Sequence, residues 1–98
     1  MAAGDVYTLA PASVADAAYM DLNPSAGVEI VIHNIYAPTG TSYTVEKYDG
    51  TDTVIFASMP AGGGMLNVQF HCVNNDRIRV KNTSGSAAIF AADGMTTK

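Results

Sequence analysis

His33, His71 and Cys72 are the side chains of this chain that titrate closest to neutral pH, so any acid–base or nucleophilic chemistry would have to start from them. A cysteine nucleophile needs an imidazole within hydrogen-bond reach. His71 and Cys72 are adjacent, and on a strand adjacent side chains point to opposite faces, so these two cannot form that pair. Cys72 therefore reads as a small core residue of a reducing cytosol. Each histidine reads as a polar strand-face residue or an interface contact. Zinc would want spaced Cys and His pairs, which are missing. Asp49, Asp52, Asn74, Asn75 and Asp76 carry oxygens suited to calcium, but none falls into an Asp-x-Asp-x-Asp-Gly spacing, and all five are ordinary turn residues. Gly62-Gly63-Gly64 has the backbone freedom to cradle an anion, yet no Lys-Ser or Lys-Thr follows it, so it reads as a flexible loop tip. The expectation is no catalytic residue, no cofactor and no metal.

The composition points the same way. Ninety-eight residues make about one domain, expected to span residues 1–98, and 48% hydrophobic residues give it a core. Only 14% of residues are charged, so much of the surface must be Thr, Ser, Asn, Gly and Ala. Such a surface is either simply neutral or suited to packing against neighbours, because it costs little to desolvate. A net charge of −4 with five basic residues and no Trp argues against nucleic acid, whose phosphates reward a basic footprint. No apolar stretch approaches a membrane span, so no membrane is expected. Met1-Ala2-Ala3-Gly4-Asp5 lacks the basic and apolar regions of a signal peptide. Asn82-Thr83-Ser84 fits a glycosylation acceptor but reads as a turn.

The elements that carry these residues are strands. Val6–Ala10 is a first strand ended by Pro11, and Ser13–Met20 is an extended segment rather than a helix. Val28–Tyr36 is β-branched and apolar almost throughout, as a strand covered on both faces would be. Ser42–Tyr48 alternates, with Tyr43, Val45 and Lys47 on one face and Thr44, Glu46 and Tyr48 on the other. Asp49-Gly50 then forms a hairpin turn to Thr53–Ala57. Met65–Val73 returns with Leu66, Val68, Phe70 and Cys72 on one face. Arg77–Lys81 alternates with Ile78 and Val80 inward, and Ala87–Ala92 closes the domain. About eight short antiparallel strands with turns every 8–12 residues predict an all-β single-domain sandwich or jelly-roll-like barrel. Its predicted core is Ile30, Ile32, Val68, Phe70, Ile78 and Val80.

Arg77, Arg79 and Lys81 place three of the five basic residues on one face of one strand. Like charges in a row repel, so the stripe needs acidic company. That company is Glu46 or another carboxylate of the same sheet, solvent, or an acidic patch on a partner. Residues 1–12 are either a first strand or an arm that adds to a neighbour's sheet. Val6 and Tyr7 therefore join the three basic residues as candidate interface residues.

The opening MAAGDVYTLAPASVA, the strand GVEIVIHNIY, the hairpin KYDGT and the segment FHCVNNDRIRVKN together resemble small virion proteins of tailed bacteriophages. The resemblance covers most of the chain and lies in overall pattern rather than in one diagnostic motif. It implies a head decoration, or cement, protein on the outer surface of the virion capsid. Such a protein is made in the host cytoplasm, binds the major capsid protein and is a homo-oligomer, a trimer rather than a dimer. The competing expectation is a tail or fibre component that recognises a host receptor, with Tyr36, Tyr43 and Tyr48 as candidate exposed aromatics.

Overall fold

A computed structural model describes residues 4–98. Met1, Ala2 and Ala3, the start of the expected arm, lie outside the described residues. Eight strands follow in order: β1 (Val6–Val14), β2 (Tyr19–Leu22), β3 (Glu29–Tyr36), β4 (Tyr43–Tyr48), β5 (Thr53–Met59), β6 (Phe70–Val73), β7 (Arg77–Asn82) and β8 (Ala88–Thr96). They form two four-stranded sheets, β1-β8-β3-β6 and β2-β7-β4-β5, and every neighbouring pair is antiparallel. Strand pairs that alternate between two facing sheets in this order make a jelly roll, the all-β architecture expected from the sequence.

Period-two patterning decides what goes inside. In β7 the side chains of Ile78, Val80 and Asn82 are buried while Arg77, Arg79 and Lys81 stay part-exposed on the outer face. In β4, Tyr43 and Val45 are fully buried. β3 contributes Ile30, Ile32 and Ile35 from the opposite sheet. The Tyr43 ring meets Phe90 edge to face, centroids 5.7 Å apart, and this pair ties the two sheets together. Gly94 sits where β8 crosses the irregularity in β3 between Ile32 and Asn34, and a Cβ there would lie 1.9 Å from the Val31 carbonyl oxygen. The register of β8 thus depends on a missing side chain.

Several boundaries differ from expectation. Pro11 does not end β1, which continues to Val14. The proline falls in a bulge between Leu9 and Ala12 on an edge strand, where a missing N–H costs no ladder bond. The first twelve residues, as far as they are described, pair with β8 of their own chain from Val6 onward. β5 runs on to Met59, and β8 extends past Ala92 to Thr96 because it is shared between β1 and β3. The strand expected over Met65–Val73 is regular only from Phe70. Before it, Asn67 takes φ 60° and Met65 makes only an isolated bridge to Ile35. Leu66 is consequently 59% exposed. Val68 and Phe70 are half-buried rather than core, whereas Ile30, Ile32, Ile78 and Val80 are buried as expected. The Asp49-Gly50 pair does lie in the β4–β5 hairpin, but the loop has four residues. The Asp49 carboxylate accepts the N–H groups of Thr51 and Asp52 at 2.9 and 2.8 Å.

Candidate interaction surfaces

The outer face of the β2-β7-β4-β5 sheet carries the basic stripe, and the neighbouring strands meet it with carboxylates and rings. Arg77 donates through Nε and Nη2 to both oxygens of Asp21 at 2.9 and 2.8 Å, a bidentate pair across β7 and β2. Arg79 donates through Nε at 3.1 Å and Nη2 at 2.7 Å to Oε2 of Glu46, directly opposite on β4. The two faces of the Arg79 guanidinium are covered by Tyr19, 3.9 Å from the ring centroid, and Tyr48 at 3.6 Å. Arg77 also lies over Tyr48, at 4.7 Å, and the Lys81 ammonium lies 5.8 Å from the Tyr19 centroid. The hydrogen bond to Asp21 raises the Arg77 pKa further. Both arginines are paired with carboxylates of their own sheet, each through two of its five N–H donors.

The outer face of the other sheet holds a small polar cluster. Asp93 accepts from Asn34 Nδ2 and from the Tyr36 hydroxyl, both at 2.7 Å. The hydrogen bond to Asp93 raises the Tyr36 pKa, with desolvation adding to it. Tyr36 is 40% exposed, and His33, Asn34, Asn67 and Gln69 line a shallow depression close by. Of the three tyrosines that the receptor-binding alternative would use, Tyr36 is exposed beside polar groups. Tyr48 is packed on arginine, and Tyr43 is fully buried with its hydroxyl donating to the Gly63 carbonyl at 2.6 Å.

The third surface is apolar. β5 and β6 are the end strands of their sheets, and the contact of Phe56 with Phe70 puts them on the same flank. Phe56, at the bulge of β5 opposite Val45–Glu46, meets Phe70 of β6 edge to face at 5.3 Å. An open cleft of about 370 Å³ lies between the strands, lined by Phe56, Phe70, Val73 and Ile78 together with the polar Lys47, Gln69, His71 and Asp76. Lys47 and Asp76 form an ion pair. Val54, Ile55 and Phe56 are 62%, 61% and 45% exposed on three consecutive residues of β5. Sequence reading missed this flank because β5 looks like any core strand. Strand order alone makes it an edge.

The remaining chemistry-bearing residues are absorbed by the fold. His71 is exposed and Cys72 buried, on opposite faces of β6, and burial pushes the Cys72 thiol up to about 11. No group of three His, Cys, Asp or Glu among the described residues comes together as metal ligands would. Asn82 is fully buried. Its amide donates to the carbonyls of Val14 and Ser86 while its oxygen accepts from Ser84. The glycine run is pinned, since a Cβ on Gly62 would meet the Pro38 and Thr41 carbonyl oxygens at 2.5 Å and the Gly63 N–H donates to Pro38. Of the candidate interface residues on β1, Val6 is 71% exposed while Tyr7 is half-buried against the core.

No family model matches the sequence, and no curated protein does. Among solved structures the chain is similar to the core of Drosophila NLP, with a TM-score of 0.52 and 16% identity over 95% of this chain and 98% of that one. That crystal structure is described as giving insight into pentamer formation and histone binding. At this identity the likeness is one of fold.

Proposed function

We propose that this chain is a non-catalytic structural protein of a phage virion, a decoration protein that docks on the outside of the major capsid lattice and stabilises the assembled shell. The observation that carries the reading is the open apolar flank on an otherwise closed jelly roll. A strand with three consecutive large apolar residues about half or more exposed needs a protein surface to cover it. The resemblance of the sequence to small phage virion proteins makes the capsid lattice the wider partner of the assembled copies. A repeated lattice also lets modest single contacts add up through multivalency. Self-association is part of this proposal: the fold neighbour is described as forming pentamers, and the flank here is suited to meeting another copy. A net charge of −4 would suit a basic partner such as a histone, but a likeness of fold alone does not carry that partner over to this chain.

Particles lacking the protein are expected to assemble normally and to rupture at lower temperature, or under milder osmotic stress, than complete particles; adding purified protein back should restore the difference. A second reading, receptor recognition at the tail, draws on the exposed Tyr36 beside Asn34 and Asp93, an aromatic platform next to hydrogen-bonding groups of the kind that meets sugar rings. If deletion leaves shell stability unchanged and abolishes adsorption to cells, the decoration reading is wrong and the second one stands.

A further inference from the structure

We infer that the β5–β6 flank is covered by a second copy of this chain, two copies pairing antiparallel through β5 about a two-fold axis. This deepens the self-association within the proposed function but does not depend on which lattice the protein decorates.

The four strand edges of the molecule are not equivalent. β1 is interrupted by Pro11 and its bulge, β2 has four residues with Asp21 among them, and β6 has four residues. These are the ordinary devices that keep an edge from pairing with another chain: a proline, a bulge, a charge, short length. β5 also carries a bulge, at Phe56, but it has neither a proline nor a charge and is not short. Its seven residues, Thr53–Met59, contain no glycine either, and the bulge lies in its pairing with β4. At about 3.4 Å per residue it offers roughly 23 Å of unpaired backbone donors and acceptors.

A second copy presents the same unpaired edge of the same length, and charge decides how it lies. The β4–β5 hairpin ends in Asp49 and Asp52, and the N–H groups of Asp52 and Thr51 hold the Asp49 pKa below its usual value, so that tip is firmly negative. The other end of β5 leads into Pro60-Ala61-Gly62-Gly63-Gly64, which is uncharged. Antiparallel pairing sets each acidic tip beside the neutral loop of the other copy and keeps the two tips a strand length apart. Parallel pairing would bring four carboxylates together. Docking the flank on the opposite flank of the next copy would set the tip near an edge that carries the exposed Asp16. In the cleft beside β5, Lys47 and Asp76 pair with each other, so the negative charge there is that of the hairpin tip.

A two-fold axis normal to the sheet also keeps faces matched. Inner faces join inner faces, so the two clefts merge and Phe56 and Phe70 of both copies close over one another. On the outer face Ile55, which lies opposite Glu46, meets its counterpart. Both features of the flank, unpaired backbone and open cleft, are satisfied by one contact. Such an isologous contact closes at two copies, against the trimer implied by the resemblance.

Sedimentation velocity on the full chain tests this. Wild type should sediment as a species of twice 10.2 kDa at micromolar concentration. Ile55→Lys and Val54→Lys change exposed side chains, so both should keep the wild-type far-ultraviolet CD spectrum. Each change enters the interface twice, and the dimer dissociation constant should rise about 100-fold or more. Val6→Lys, on the opposite flank, should leave it unchanged. A wild type that stays monomeric at 200 μM, which is roughly twenty times a ~10 μM Kd, overturns the inference. So does a trimer or pentamer, or a dimer that survives both β5 substitutions or yields to Val6→Lys. Monomeric protein whose binding to particles is lost with Ile55→Lys would give the flank to the capsid instead. A dimer that fails to bind particles would sink the decoration reading and leave this one standing.

Discussion

Replacing Arg79 by Met removes the one cation paired with Glu46 while keeping most of the aliphatic volume. Glu46 is 1% exposed, so its carboxylate cannot turn to bulk water, and both of its charge-assisted bonds come from the same guanidinium. Breaking a buried pair from one side costs about 3–5 kcal/mol, because the remaining charge stays desolvated. The loss of stacking on Tyr19 and Tyr48 adds about 0.5–1 kcal/mol per ring. The expected loss is about 4–7 kcal/mol, a large share of the ~5–15 kcal/mol that holds a typical domain together. Urea unfolding followed by far-ultraviolet CD measures it, and a shift of midpoint without change of slope would identify it as stability. The double variant Glu46→Gln, Arg79→Met no longer buries a charge, so it should be more stable than Arg79→Met by about 1.5 kcal/mol or more. A loss below 1 kcal/mol for Arg79→Met, or a double variant no better than the single one, would refute the reasoning. It would mean that the Glu46 carboxylate reaches water or another donor once the arginine is gone.

Two further outcomes follow from burial and titration. Phe90→Ala should cost about 3–5 kcal/mol, since the ring is 2% exposed and packs on Tyr43, whereas Phe70→Ala, at the open flank, should cost roughly 1–2 kcal/mol in the isolated monomer; equal losses in urea titrations would show that the flank is closed. Cys72 ionises at about 11 when folded, against about 9 in an open chain. A pKa raised by folding gives stability that is complete below about pH 9 and declines as pH rises toward 11. Cys72→Ala should lack that part of the alkaline decline, and an aromatic disulfide reagent should label native Cys72 at pH 8 no faster than the protein unfolds.

Local chemistry in the chain was enough to determine the class of fold and much of its detail. Alternation set the inward faces of β4 and β7, the Asp49-Gly50 pair marked the hairpin, and the adjacency of His71 and Cys72 put them on opposite faces. Even the partner of the basic stripe was within reach, because Glu46 sits on the right face of a strand that β7 could join. Each of these depends on period-two geometry or on a turn of a few residues, and both are written in neighbouring positions.

Strand order is not written that way. That β8 lies between β1 and β3, and so extends past Ala92, depends on partners 55 to 89 residues away in the chain. Phe70 shares a face with Ile32 and Ile30 through its register, as expected, yet stays half-exposed because β6 ends its sheet and β5 ends the sheet opposite. Val54, Ile55 and Phe56 have the composition of a buried strand and the position of an edge. An apolar residue reports how much it prefers burial, and only the assembled sheets decide whether its own chain supplies the cover.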